Sequence, residues 1–154
     1  MANQRDTPNP RAFFVVGNED SGKSSTLKEL TGGVTQTRYI QIGGRRVFIR
    51  RMSNDDVPVS WELFIKSLDP KEKPDVIVAL CPTEGALPFL QILQKRGFTL
   101  FFWIIRRRCN GESGDLTEVE IGRFKGLGLI EFCHQPADPS KRAAQLKKFV
   151  EVHP

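Results

Sequence analysis

Short uninterrupted apolar runs recur along this chain and predict strands that are buried on both faces. Residues 12–16 and 75–80 are the clearest runs, because neither contains the polar alternation of a strand with one solvated face. Residues 99–105 and 129–133 show the same pattern. We therefore expect a sheet in which most strands are parallel and covered by helices on both sides.

A glycine pair predicts one antiparallel element within this sheet. Residues 39–42 and 47–49 are strand-like, and Gly43-Gly44 lies between them. Two glycines at such a position favour a tight hairpin turn, since both turn residues need a positive φ. The sheet is predicted to be mixed.

Segments with helical spacing separate the predicted strands. A helix from Lys23 ends at Gly32-Gly33, and a second one is capped by Asp55 or Asp56. Further helices are predicted at 83–97, at 116–124 and after Asp138. The helices are indicated by apolar positions that recur every three or four residues: Leu27, Leu30, Val57, Trp61, Phe64, Ile65, Leu68, Leu87, Leu90, Leu93, Ala143, Leu146, Phe149 and Val150.

Strands that alternate with helices predict an α/β fold, here a three-layer sandwich around a mostly parallel sheet with one antiparallel hairpin strand. Residues 1–11 contain Pro8 and Pro10 without periodicity, so they are predicted to be a flexible N-terminal tail. Residues 12–154 are then a single domain of ordinary size.

The composition limits the partners and the compartment. A formal net charge of +5 favours an anionic partner, but it does not distinguish a nucleotide from a nucleic acid or an acidic protein. The basic pairs are dispersed, with Lys141-Arg142 among them, so we expect only weak, nonspecific nucleic-acid binding. Three widely spaced cysteines favour a reducing, cytoplasmic location. The longest apolar run, 100–105, is far shorter than the roughly 20 residues of a membrane-spanning helix.

The first predicted strand leads into a phosphate-binding loop. Residues 17–24 fit the pattern G-x-x-x-x-G-K-S between a strand and a helix. Gly17 and Gly22 allow a sharp turn, Lys23 would reach the β and γ phosphates, and Ser24 would ligate Mg²⁺. The predicted nucleotide contacts are Gly17, Asn18, Glu19, Asp20, Ser21, Gly22, Lys23, Ser24 and Ser25. The side chains of Glu19 and Asp20 are expected to point into solvent. These residues predict a P-loop NTPase fold that binds ATP or GTP with Mg²⁺.

From residue 12 to residue 152, the order of elements resembles that of the Ras-type small GTPases. The resemblance implies that Thr35 or Thr37, before the hairpin, contacts Mg²⁺, and Thr37 is the residue we expect to do so. Where that family has Asp-x-x-Gly after the second hairpin strand, this chain has Arg-Arg-Met-Ser-Asn-Asp-Asp at residues 50–56. Asp55 is our candidate for the metal-holding aspartate, and Asp56 is the alternative.

Two other motifs of the family are replaced in this sequence. Its guanine-recognising Asn-Lys-x-Asp corresponds to Arg-Arg-Arg-Cys-Asn at residues 106–110, and its Ser-Ala-Lys to Cys-His-Gln at residues 133–135. We therefore expect poor discrimination between GTP and ATP. No glutamine follows an Asp-x-x-Gly to position water, so hydrolysis in that family's manner is not supported.

Arginines follow several predicted strands at their carboxyl ends, the edge where ligands bind in an open α/β sheet. Arg50, Arg51, Arg106 and Arg107 are in this position. Together with Lys23, Arg51 and Arg106 are the candidates for stabilising a transferred phosphoryl group. The alternative is that these arginines are solvated charges that terminate apolar strands.

Three functions are compatible with this sequence. The favoured one is a divergent Mg²⁺-dependent NTPase whose nucleotide switches a protein partner. The second is a P-loop kinase that transfers the γ-phosphate to a small acceptor, and the third is an assembly module that binds nucleotide without hydrolysing it.

Overall fold

Six strands form a single sheet in the computed structural model, which describes residues 9–18, 22–33, 38–106, 116–134 and 138–153. Along the sheet their order is β2-β3-β4-β1-β5-β6. Strands β2 and β3 pair antiparallel, and every other neighbouring pair is parallel. The strands are β1 (Arg11–Val16), β2 (Tyr39–Ile42), β3 (Arg45–Arg50), β4 (Asp75–Leu80), β5 (Thr99–Ile104) and β6 (Gly128–Phe132).

Helices cover both faces of this sheet, which confirms the predicted α/β sandwich. Helices α1 and α5 pack on one face, and α2, α3 and α4 pack on the other. The helices are α1 (Lys23–Leu30), α2 (Pro58–Ser67), α3 (Leu87–Lys95), α4 (Glu118–Gly122) and α5 (Pro139–Glu151). Among the described residues, no helix is long and apolar enough to cross a membrane.

Burial of both sheet faces explains the uninterrupted apolar runs. Successive residues of β1 point to opposite faces, so Phe13 packs in the core beneath α1 and α5 while Phe14 packs in the other core. Each ring stacks on β5: Phe13 lies on Phe101 with centroids 4.6 Å apart, and Phe14 lies on Phe102 at 5.5 Å. Strand β1 is thereby fixed at the centre of the sheet.

The glycine hairpin is confirmed. Gly43 and Gly44 have φ values of 59° and 77°, the conformation of a two-residue turn whose twist matches its strands. Strand β3 begins at Arg45, two residues before the predicted start, because Arg45 pairs with Ile42 directly across this tight turn.

The start of α2 differs from the sequence prediction. Neither Asp55 nor Asp56 caps this helix, because Val57 is the N-cap and makes no side-chain capping bond. Pro58 follows it, and proline suits the first helical position because its φ is preset and its missing N–H has no helical partner there. The Asp56 carboxylate instead accepts a hydrogen bond from the Ser53 N–H, at 3.2 Å.

A buried ionic network closes the end of the sheet where the parallel strands start. Arg11, the first residue of β1, donates from Nε to Asp75 Oδ1 at 2.8 Å, and Arg45 Nε lies 2.6 Å from Asp75 Oδ2. Arg11 also donates to the backbone carbonyl of Val150 in α5, at 3.0 Å. Strand β1 therefore begins one residue before the predicted position, and the opposite end of the sheet carries the candidate site.

Candidate phosphate-binding site

The loop that follows β1 starts at the centre of the carboxyl edge of the sheet. Beyond the last residue of β1, the Gly17 N–H donates to the Leu80 carbonyl at 3.1 Å, so the chain stays beside β4 for one more residue. The loop ends at Gly22, whose φ of 102° is in the left-handed region that favours glycine. Glu19, Asp20 and Ser21 lie outside the described residues.

Lys23, the first residue of α1, turns its side chain back over the start of the loop. Its Nζ donates to the carbonyls of Gly17 at 2.6 Å and Asn18 at 3.0 Å, and the residue is only 7% exposed. A buried ammonium held by two carbonyls is a fixed point charge, less screened by salt than an exposed one. The predicted lysine and the first loop residues are therefore brought together.

The first turn of α1 adds hydroxyl groups and has no acidic residue. The Ser25 hydroxyl donates to the Gly22 carbonyl at 3.1 Å, and the Thr26 hydroxyl donates to the same carbonyl at 2.7 Å. Ser24 is exposed on this turn. The positive end of the helix dipole at this turn is therefore not offset by an acidic side chain of α1.

Arg142 of α5 joins the site from the far end of the chain. Its Nε donates to Thr26 Oγ1 at 2.7 Å and its Nη2 donates to Ser25 Oγ at 2.8 Å. The residue is 1% exposed, so of the basic pair Lys141-Arg142 only Lys141 lies on the surface. The sequence signal was its spacing: Arg142 precedes Leu146 by four residues and Val150 by eight, which places it on the buried stripe of α5.

Asn54, whose hydrogen bonds the sequence did not indicate, ties the connection between β3 and α2 to the end of β4. Its Oδ1 accepts from the Cys81 N–H at 2.7 Å, and its Nδ2 donates to the Cys81 carbonyl at 3.0 Å. The same amide donates to Thr83 Oγ1 at 3.1 Å. Because Gly17 pairs with Leu80, this connection lies near the phosphate loop.

A cavity of about 160 Å³ opens between α2 and the 3-10 turn that precedes α3. Asn54, Trp61, Glu62 and Thr83 are among the residues that line it. Trp61 is buried and its indole N–H donates to the Ala79 carbonyl at 3.1 Å. The residues that line the cavity therefore include one with a carboxylate and one with a hydroxyl group.

Of the three predicted metal contacts, two lie within the described residues. Ser24 and Asp55 are both exposed, and Thr37, like its alternative Thr35, lies outside the described residues. In the ranges that the structure describes, no three side chains of His, Cys, Asp or Glu converge to hold a metal ion. The roles of Ser24 and Asp55 toward Mg²⁺ stay predictions.

The arginines at the strand ends have different surroundings. Arg106 forms an exposed ion pair with Glu118, and its guanidinium lies 6.0 Å from the Phe132 ring. Arg50 donates to Ser60 Oγ of α2 at 3.0 Å. Arg51 is half-buried on the connection that leads to α2, and Arg107 lies outside the described residues. Their predicted part in phosphoryl transfer stays a prediction.

The pKa of the Cys81 thiol reflects burial and the charges around the site. Burial raises the pKa of its thiol, the Asp55 carboxylate raises this pKa further, and the Lys23 ammonium opposes the change. The thiol is therefore neutral at physiological pH, and it lies within electrostatic reach of Lys23, a predicted nucleotide contact, and of Asp55, a predicted metal ligand.

We expect Cys81 to react slowly with iodoacetamide near pH 7.5, because the thiolate is the nucleophile and a raised pKa keeps its fraction small. The rate should keep rising above pH 9, and a bound triphosphate should lower it at every pH. Mass spectrometry of the Cys81 peptide measures this rate separately from those of Cys109 and Cys133. A labelling rate that levels off below pH 8 would contradict the raised pKa.

Comparison of the sequence with protein-family models and with curated proteins gives no match. Among solved structures, the crystal structure of APE1195 is similar to this chain, with a TM-score of 0.52. The two chains share 11% sequence identity over 94% of this chain and 97% of that chain. At so low an identity, the likeness shows a shared α/β fold and nothing about ligands.

Proposed function

We propose that this protein binds a nucleoside triphosphate, ATP or GTP, with Mg²⁺ at residues 17–25. The observation that carries the proposal is the Lys23 ammonium, which is held over the carbonyls of Gly17 and Asn18 at the N-terminus of α1. A fixed cation and a helix N-terminus at one loop are the two features that bind phosphate groups most readily in proteins. The sequence of the loop supplies the third support.

The residues of the site fit this ligand. Gly22 provides the left-handed conformation that brings a loop backbone close to phosphate oxygens, and the first turn of α1 has no carboxylate to repel them. Ser24 has an exposed hydroxyl suited to a magnesium ion, with Asp55 as a further oxygen ligand. When bound, Mg²⁺ would neutralise charge on the phosphates.

The function we favour is a Mg²⁺-dependent NTPase whose nucleotide state controls a protein partner. The connection between β3 and α2 supports this, because it includes Asp55, whose carboxylate raises the pKa of the Cys81 thiol at the end of β4, and Met52 on the surface. Val59 and Leu63 of α2 are also largely exposed, at 71% and 61%. Such exposed apolar side chains beside a nucleotide-sensitive connection are suited to a partner that recognises one nucleotide state.

Phosphoryl transfer to a small acceptor is the second candidate, and the cavity beside α2 is the observation that favours it. Thr83 and Asn54 line this cavity, and Asn54 is hydrogen-bonded to Cys81 at the end of β4. An acceptor hydroxyl bound there would lie near the phosphate loop. Lys23, Arg51 and Arg106 are the candidates for stabilising charge on the transferred group in either reaction.

One set of measurements separates these functions. ATP and GTP are titrated with and without Mg²⁺, and formation of the nucleoside diphosphate and of inorganic phosphate is followed with and without a panel of small hydroxylic acceptors. Phosphate release without an acceptor supports the NTPase, and turnover that depends on an acceptor supports the kinase. Tight binding without turnover supports the non-hydrolysing module, and the absence of binding refutes the proposal.

Ser24→Ala is expected to weaken the effect of Mg²⁺ on triphosphate binding by about tenfold, because it removes one hydroxyl ligand and leaves the loop backbone intact. Isothermal titration calorimetry at several Mg²⁺ concentrations measures this effect. Ser67→Ala near the end of α2 is the control, since that hydroxyl donates to the Phe64 carbonyl. If Ser24→Ala keeps the magnesium dependence of the unaltered protein, Ser24 is not a metal ligand.

A further inference from the structure

We propose that Arg142 is a positioning residue that holds Gly22, at the end of the phosphate loop, so that the adjoining Lys23 N–H is directed toward a bound phosphate. This inference rests on the proposed function, because it assigns a role toward the same triphosphate. Arg142 lies in α5, on the sheet face shared with α1, and its guanidinium reaches the first turn of α1. It is buried and makes its two described bonds to side-chain hydroxyls of that turn.

A relay of hydrogen bonds connects Arg142 to the last residue of the loop. The guanidinium donates to the hydroxyls of Ser25 and Thr26, and both hydroxyls donate to the Gly22 carbonyl. When a hydroxyl accepts a hydrogen bond from a cation, the hydrogen bond that this hydroxyl donates becomes stronger, since hydrogen bonds in a chain polarise one another. The Gly22 carbonyl is therefore held more firmly than by the backbone bond from Thr26 alone.

Fixing this carbonyl also fixes the peptide plane that it shares with the Lys23 N–H. The carbonyl and the N–H of one trans peptide point in opposite directions, so holding the carbonyl toward the helix aims the N–H toward the loop. This N–H belongs to the first turn, where N–H groups have no partner within the helix and are available to an anion. Arg142 thereby directs a phosphate donor that it does not touch.

The two ends of the loop are then held by two different cations. Lys23 holds the carbonyls of Gly17 and Asn18 at the start, and Arg142 holds Gly22 at the end through two hydroxyls. Both cations are buried, so salt screens their fields less than those of the exposed lysines of α5. Their positive potentials add at the loop, where the phosphates carry negative charge.

A purely structural role would be to bind α5 to α1. The two roles predict different effects of replacing Arg142. If the role is structural, only the free energy of unfolding changes. If Arg142 is a positioning residue, triphosphate affinity and the environment of the Lys23 N–H change as well. A lysine at this position keeps the charge and one donor, so it should restore part of the affinity. Thr26→Val removes one hydroxyl of the relay at nearly constant volume and leaves Arg142 in place.

The test compares Arg142→Met, Arg142→Lys and Thr26→Val with Lys141→Met, which removes one exposed charge from the same turn of α5. Calorimetric titration with Mg²⁺-ATP and Mg²⁺-GTP measures affinity, and urea unfolding identifies the folded fraction. Two-dimensional NMR of the nucleotide-free protein measures the amide resonance of Lys23.

We expect Arg142→Met to weaken triphosphate binding at least tenfold, Thr26→Val about fivefold, and Lys141→Met less than twofold. Arg142→Lys should bind at least three times more tightly than Arg142→Met. The Lys23 amide should shift in Arg142→Met and Thr26→Val, less in Arg142→Lys, and not in Lys141→Met. If folded Arg142→Met and Thr26→Val bind as tightly as the unaltered protein, the inference is overturned and the proposed function stands. If the unaltered protein binds no triphosphate, both are overturned, even where the amide shifts.

Discussion

Replacing Lys23 with alanine is expected to lower triphosphate affinity by at least about a hundredfold, or roughly 2.7 kcal/mol. The reason is that its ammonium is the cation held directly on the loop, at the carbonyls of Gly17 and Asn18. A charge-assisted bond to a phosphate is lost, together with the fixed positive potential at that point. Calorimetric titration with Mg²⁺-ATP and Mg²⁺-GTP measures the change.

Two companion variants separate this effect from a change in folding. Lys23→Met keeps most of the buried side-chain volume, so it should lose affinity like Lys23→Ala while its thermal unfolding stays near that of the unaltered protein. Lys28→Ala removes an exposed charge from the last turn of the same helix and should leave affinity within twofold. Full affinity in either Lys23 variant would refute the phosphate-loop assignment.

Asp75→Asn is expected to lower the free energy of unfolding by about 3–5 kcal/mol. Asp75 is buried at the start of β4 and pairs with Arg11 and Arg45, so the amide leaves two arginines without their carboxylate. Arg11 is itself buried, and a buried charge that loses its partner is far more costly than an exposed one. The midpoint of urea unfolding measures this loss.

Glu118→Gln is the matched control for this change. Its ion pair with Arg106 joins two exposed side chains, and such pairs contribute between zero and about 1 kcal/mol. The folded fraction of Asp75→Asn should bind triphosphate normally, because the ionic network and the phosphate loop lie at opposite ends of the sheet. Equal unfolding midpoints for the two variants would show that the buried network does not stabilise the fold.

The secondary-structure elements could be predicted where a single effect, such as burial or backbone conformation, determines them. Strand β4 has the predicted bounds because its residues are buried on both faces, and the β2–β3 turn is as predicted because only glycine adopts its two positive φ values readily. Helix α5 also begins after Asp138 as expected, and the Asp138 side chain caps it by accepting from the N–H groups of Ser140 and Lys141. In these places the local sequence carries enough information.

The order of the strands could not be predicted from these patterns. Periodicity identifies which segments are strands, but it contains nothing about which of them are neighbours. The structure places β4 between β3 and β1, so the residues that follow β4 lie beside the loop and those that follow β3 are one strand further away. This is why the hydrogen bonds between Asn54 and Cys81 could not be predicted, since they depend on that strand order.

Charged residues were the least predictable part of the candidate site. Arg142 was counted only as part of a dispersed basic pair, although its helical spacing places it on the buried stripe of α5. Arg106 was expected near the nucleotide, and its guanidinium pairs with Glu118. A long cationic side chain can reach several partners from one backbone position, so sequence alone does not fix its end point.

A crystal structure of the protein with Mg²⁺ and a non-hydrolysable ATP or GTP analogue tests the central claim most directly. We predict phosphate oxygens within hydrogen-bonding distance of Lys23 Nζ and of the backbone N–H groups at the start of α1, with the metal ion at the Ser24 hydroxyl. A nucleotide bound elsewhere on the protein would contradict the account. So would a structure in which Lys23 stays bonded to the carbonyls of Gly17 and Asn18 and does not contact the phosphates.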